Sequence, residues 1–305
     1  MKKPFFIIPA LIIVLNISAQ ETELKQNRNK NFTIVFYNIE NLFDFEDDPL
    51  TMDEDFTPGS EKKWDKEKYL KKTQDISKVL SSIGKRSLPA IIGLAEVENE
   101  KVLIDLINTE NLKKGNYGIV HYDSPDKRGI DVAILYRKDL YKIESHKSIP
   151  INFPRDTILT RDILMVKGKT NDSENLFVFV NHWKSRSGGM AVTEHKRNYS
   201  AVVLRKAVDS ILNFEPKAKI IILGDFNDEP TNRSIHQILQ ANNKRKNRNP
   251  RDLYNLMYDM HNLGDSGTYH YSGSWNMLDQ IIVSQALLDT KQGYSTDFGG
   301  GKIYN

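Results

Sequence analysis

The 305-residue chain has no cysteine. Its absence excludes disulfides, thiolate zinc sites, a cysteine nucleophile and a lipid anchor of the lipobox type. Nor is there an excess of charge of one sign: 43 Lys and Arg face 40 Asp and Glu, for a formal net charge of +3. So near neutrality there is no general attraction to a polyanion, and any affinity for nucleic acid must come from local patches. Apolar runs of the ~20 residues needed to span a bilayer are missing as well. The run from Phe5 to Leu15 follows Lys2 and Lys3 and precedes Asn16-Ile17-Ser18-Ala19. A basic start, a short apolar core and a small-residue end describe a secretory signal peptide over residues 1–19; the alternative is an uncleaved signal anchor. With the signal removed the mature chain carries about +1. It is then expected to be periplasmic or secreted, without stable membrane association.

What is present suits one large domain: 39% of residues are hydrophobic and 10% aromatic. Residues 20–31 are polar and aperiodic and read as a disordered leader to a domain over 32–305. Stretches rich in apolar and β-branched residues predict strands over 32–37, 90–94, 118–122, 130–137, 161–169, 176–182, 219–223 and 278–283. Helical spacing of apolar residues appears over 64–83, 102–107 and 194–213, with Gly84 as a stop. The strands come in runs, not in strict alternation with helices. That pattern suggests an α/β sandwich of two packed mixed sheets with helices outside. Lys244 to Arg251 is a basic loop, either simply solvated or a contact for a phosphate backbone.

Several apolar strands end in polar residues: Asn38, Glu96, Asn181-His182, Asp225 with Asn227, and Asp279 at the start of the last. One such residue usually caps or turns a strand. Together they offer carboxylates and carboxamides suited to a hard cation, with a histidine able to hydrogen-bond developing charge.

These residues lie in five ordered motifs. They are Tyr37-Asn38-Ile39-Glu40-Asn41, Gly93-Leu94-Ala95-Glu96-Val97-Glu98-Asn99, Val180-Asn181-His182-Trp183-Lys184-Ser185, Gly224-Asp225-Phe226-Asn227-Asp228 and Leu278-Asp279-Gln280-Ile281-Ile282. Over roughly Phe32 to Ser284 the chain resembles the endonuclease/exonuclease/phosphatase superfamily. Asn41-Leu42-Phe43-Asp44, Trp64 and Arg128-Gly129-Ile130-Asp131 are similar to its extracellular bacterial nuclease branch. The resemblance implies a four-layered α/β sandwich, deoxyribonuclease I-like, with the site at one edge of the two sheets. It implies Glu96 and Asn38 as metal ligands, Asp225 as base or orienter of the attacking water, and Asn227 as a holder of phosphate or water. His182 would contact the scissile phosphate, and Asp279 would join a metal site or tune the polar network. Mg²⁺ is the implied cofactor, with Mn²⁺ as a substitute, and nucleic acid the implied substrate. Lys184 and Arg128 are candidate phosphate contacts, Arg128 equally a turn residue bonded to backbone.

The resemblance also implies a late Ser-Asp-His block, which is missing. All seven histidines (His121, His146, His182, His195, His236, His261, His270) precede Asp279, and Asp297 has no histidine after it. The chain is read as truncated, closing in a glycine-rich loop without a final strand, and little activity is expected of it. A phosphatase or phospholipase, or a non-catalytic metal- and phosphate-binding remnant, are the other readings. A lipid-directed enzyme is expected to show an exposed aromatic hairpin, and none is read here. The oligomeric state is not encoded legibly, a monomer being favoured.

Overall fold

A computed structural model describes residues 12–20, 32–84, 87–154, 157–246, 248–289 and 293–304. In chain order the elements begin with β1 (Ile12–Gln20), β2 (Phe32–Leu42), α1 (Lys66–Ile83), β3 (Ile91–Val97), α2 (Glu100–Ile107), β4 (Tyr117–His121) and β5 (Asp131–Arg137). There follow β6 (Tyr141–Ile149), β7 (Ile163–Thr170), β8 (Asn175–His182), α3 (Met190–Phe214), β9 (Ile220–Asp225), β10 (Ala241–Asn242) and β11 (Leu253–Asn255). The last are α4 (Tyr258–Leu263), β12 (Tyr269–Tyr271), β13 (Ser274–Asn276), β14 (Asp279–Ser284), β15 (Gly293–Ser295) and β16 (Gly301–Tyr304).

One sheet runs β15-β1-β2-β3-β5-β4, with β16 also on β1; the other runs β10-β11-β14-β9-β8-β7-β6. Each central strand is apolar on both faces because both faces are covered. Ile34 and Phe36 of β2 point between the sheets with Val178, Val180, Leu223 and Ile281. Val35 points the other way, under α1 and α2, with Tyr69, Ile76, Leu80, Val102 and Leu106. On the far side Ala201, Leu204 and Val208 of α3 cover Phe179, Ile220 and Ile222. The result is helix, sheet, sheet, helix: the four-layered sandwich. The helices start where the sequence offers caps, as the side chains of Asp65 and Asn99 accept the amides of Lys68 and Val102.

Two expectations change, and another acquires a structural counterpart. The chain does not close in a bare glycine-rich loop, since Gly301–Tyr304 is β16 and pairs with Ile12–Leu15 of β1. Ile12–Gln20, expected to leave almost entirely with a signal peptide, forms β1 in the unprocessed chain and pairs antiparallel with β2. An apolar, β-branched run suits either fate. The leader expected over 20–31 lies outside the described residues, apart from Gln20. Third, β12 and β13 form a separate hairpin with Tyr269, Tyr271 and Trp275 exposed, so an aromatic hairpin is present after all. It was overlooked because each strand is only three residues long. Among the described residues no helix is long and apolar enough to cross a membrane.

Candidate active site

The site forms where the two sheets end together. β2 and β3 are parallel, as are β8 and β9, and β14 runs antiparallel to β9. The ends of β3, β8 and β9 and the start of β14 therefore share one edge, where Asp225 pairs across the sheet with Asp279 and alongside His182. Register shifts between Asn38 and Leu42 and between Ala95 and Val97 mark bulges that re-aim Asn38 and Glu96. Glu96 and Asn227 adopt left-handed backbone, φ 64° and 51°. For a residue with a side chain that costs on the order of 1–3 kcal/mol, and such strain concentrates at functional sites.

The side chains converge. Asn38 Nδ2 donates to Asp225 Oδ2 at 3.1 Å and to Glu96 Oε1 at 3.4 Å, while its Oδ1 accepts the Glu40 amide. His182 Nε2 lies 3.8 Å from both Glu96 Oε1 and Asp225 Oδ2. The Asn227 amide donates to Asp225 Oδ1 at 2.8 Å, and its side chain donates to the Trp183 carbonyl at 3.1 Å. Asp279 is fixed through its amide, which donates to Thr268 Oγ1 at 2.9 Å.

Charge here is crowded. Burial first, and then the charge of Glu96, pushes Asp225 up to about 6 despite hydrogen bonds from Asn227 and Asn38. Burial and Asp225 raise Asp279 well above the usual carboxylate range. His182 is driven well below its ordinary value by burial and then by Arg161 and Arg128, so the imidazole is neutral. Its Nδ1 is buried without a hydrogen-bond partner among the described residues. Three mutually repelling carboxylates with two carboxamides are hard oxygen donors in need of a counter-charge, and they fit a divalent cation. The His121, Asp123 and Asp131 cluster also places ligand atoms within 4.8 Å of one another. There, however, Nε2 faces Asp131 at 3.1 Å and Nδ1 faces Asp123 at 3.8 Å. Only the Nε2–Asp131 contact is a hydrogen bond, so His121 is already committed to a carboxylate partner.

Beside the cluster stands a cationic group that the sequence only half revealed. Arg128 is held by the Asp126 carboxylate, through Nε at 3.1 Å and Nη2 at 3.0 Å, a side-chain partner in place of the backbone one that a turn residue would have. The same carboxylate holds Arg161 at 2.8 Å, and Arg161 reaches the Trp183 carbonyl at 2.5 Å. Lys184, two residues beyond His182 at the end of β8, is lowered by burial and then by the charges of these two arginines. Arg161 and Asp126 were missed, though a charged residue opening an apolar strand at Arg161 was the available signal. Two other cationic features are engaged elsewhere. Arg186 is a brace, donating to the Asn227 carbonyl at 2.8 Å and to Asn276 at 3.2 Å. The basic loop closes at Leu253, which pairs with Ser284 at the end of β14 remote from Asp279. Arg245 and Arg248 there lie over Phe298 instead of facing the site.

A family model described as Endonuclease/Exonuclease/phosphatase family matches residues 33–305. The chain belongs to that family. Its fold is accordingly that of a phosphoester hydrolase. Among solved structures, an endonuclease/exonuclease/phosphatase family protein from Bacteroides thetaiotaomicron is similar at TM-score 0.54 and 16% identity, covering 83% of this chain and 82% of that one. A mannosyl-6-phosphatase of the same organism gives 0.51 and 16%, over 70% and 76%. The human nocturnin catalytic domain with bound sulfate gives 0.50 and 18%, over 70% and 75%. At such identities the likeness is one of fold. No curated protein matches significantly by sequence.

Proposed function

We propose that this chain is an exported, magnesium-dependent phosphodiesterase that cleaves nucleic acid. The observation that carries the reading is a buried carboxylate–carboxamide cluster around a neutral histidine, flanked by the Arg128, Arg161 and Lys184 group. A phosphate between the two sets would meet cations on one side and hydrolytic groups on the other. Export is supported by the basic, apolar and small-residue order of residues 1–19.

Glu96, with Asn38, would hold Mg²⁺, or Mn²⁺ in its place. When bound, the metal neutralises phosphate charge and lowers the pKa of water. Asp225, fixed by the Asn227 amide and by Asn38, orients the attacking water and takes its proton; burial has already raised its basicity. His182 offers an N–H to a phosphoryl oxygen. The side-chain amide of Asn227 is engaged by Trp183, so its part is to hold Asp225 in place. Asp279 supports Asp225 across the β9–β14 pair. Arg128 and Lys184 bind the phosphate that follows.

The competing reading is a monoesterase. Rates on plasmid DNA, an RNA oligomer and p-nitrophenyl phosphate under Mg²⁺ decide between them. The diesterase reading expects the nucleic acids to be preferred, and turnover of the monoester alone would replace it.

A further inference from the structure

No residue given a chemical role above lies on the hairpin of β12 and β13, which follows directly on Thr268, the partner of the Asp279 amide. Tyr269 pairs with Asn276, His270 with Trp275 and Tyr271 with Ser274. Alternation puts Tyr269 and Tyr271 on one face, their rings 6.1 Å apart with planes only 12° from parallel. Both rings are accessible, 38% and 63% exposed.

The hairpin is fixed at its base. Thr268, just before it, accepts the Asp279 amide on Oγ1 at 2.9 Å and donates its own amide to the Asn276 carbonyl at 2.8 Å. Arg186 ties the Asn276 side chain to the Asn227 carbonyl. Burial, then Tyr271, then the negative charges of Glu40 and Asp225 push the Tyr269 phenol up, consistent with a ring that overlooks the carboxylates.

We propose that the Tyr269–Tyr271 face is a stacking platform for an unpaired base of the strand whose phosphate occupies the carboxylate cluster. The proposal rests on the nuclease reading above. Rings held rigidly beside a phosphate site gain from any planar base, whatever its identity, whereas a duplex base is already stacked. The platform therefore selects single strands, flaps and frayed ends. A lipid surface fits less well. The apex of the hairpin is Ser272-Gly273, both at positive φ, with the rings along its sides, while membrane insertion needs apolar residues at the leading edge. The negative charges of Glu40 and Asp225 nearby would repel an anionic bilayer.

The test is binding by the full chain in EDTA, which prevents cleavage. Fluorescence anisotropy compares a short single-stranded oligothymidylate with an abasic strand of equal length and charge. The wild type is expected to prefer the thymidine strand by about tenfold or more. Tyr271→Ala should erase most of that preference and Tyr271→Phe should keep it, with both variants binding the abasic strand as the wild type does. Equal affinity of the wild type for both strands overturns the platform and leaves the nuclease reading standing. Failure of the wild type to cleave any nucleic acid under Mg²⁺ overturns that reading and the platform with it. Binding to phosphatidylcholine–phosphatidylserine vesicles that Tyr271→Ala abolishes would make the hairpin a membrane contact and overturn the proposal.

Discussion

Asp126 is the residue on which the cationic side of the site depends. It is buried, and it faces Arg161, which is 1% exposed, and Arg128. Burial alone would raise its pKa, but the two arginines outweigh burial and draw it down to about 2. A carboxyl depressed in the folded state contributes stability above its unfolded value of about 4, and loses it as pH falls through the folded value. Asp126→Asn leaves the Arg161 charge buried without its partner, so a loss of roughly 3–5 kcal/mol is expected at pH 7 by urea unfolding. The gap between variant and wild type should narrow by about 2 kcal/mol as pH is lowered towards 2. A gap that stays constant with pH would show that Asp126 is not ionised in the fold. The residues of this scale were unevenly legible. Asn38, Glu96, Asp225 and Asp279 interrupt apolar strands and so announce themselves. Asp126 and Arg161 are 35 positions apart and meet only through the tertiary fold.

At the scale of elements, what could be read was what is buried. β2, β3, β8, β9 and β14 are covered on both faces and appear as continuous apolar runs. β6 escaped notice because it is a sheet edge, with Tyr141 its one buried side chain and polar residues along most of its length. β10 to β13 and β15 to β16 are too short for any periodicity to show. β1 carries two signals at once. Cleavage after Ala19 would remove all of it except Gln20 and would leave β2, β15 and β16 without their shared partner. The export reading therefore makes a measurable claim. Intact-mass analysis of protein recovered outside the cytoplasm of a bacterial host should show residues 1–19 missing. A full-length mass would instead assign Ile12–Gln20 to the sheet permanently.

Taken whole, the molecule makes its site from both sheets. Asn38 and Glu96 come from one, and His182, Asp225 and Asp279 from the other, so catalytic distances depend on how the sheets pack. Gly93 lies at that interface, where an added Cβ would stand 3.1 Å from both Leu223 and Val180. Gly93→Val should force the sheets apart and cost about 1–3 kcal/mol in stability. Because the two halves of the site would separate, activity should fall further than the folded fraction does; activity that simply tracks folding would deny this coupling. The central claim is that phosphodiester cleavage happens at Glu96 and its neighbours. Plasmid nicking by the full chain under Mg²⁺, beside a folded Glu96→Ala variant, tests it most directly. The account predicts weak nicking by the wild type, in keeping with the missing late block, that the variant loses by roughly a hundredfold or more. Nicking that survives in Glu96→Ala, or no nicking by folded wild type supplied with Mg²⁺ or Mn²⁺, would contradict it.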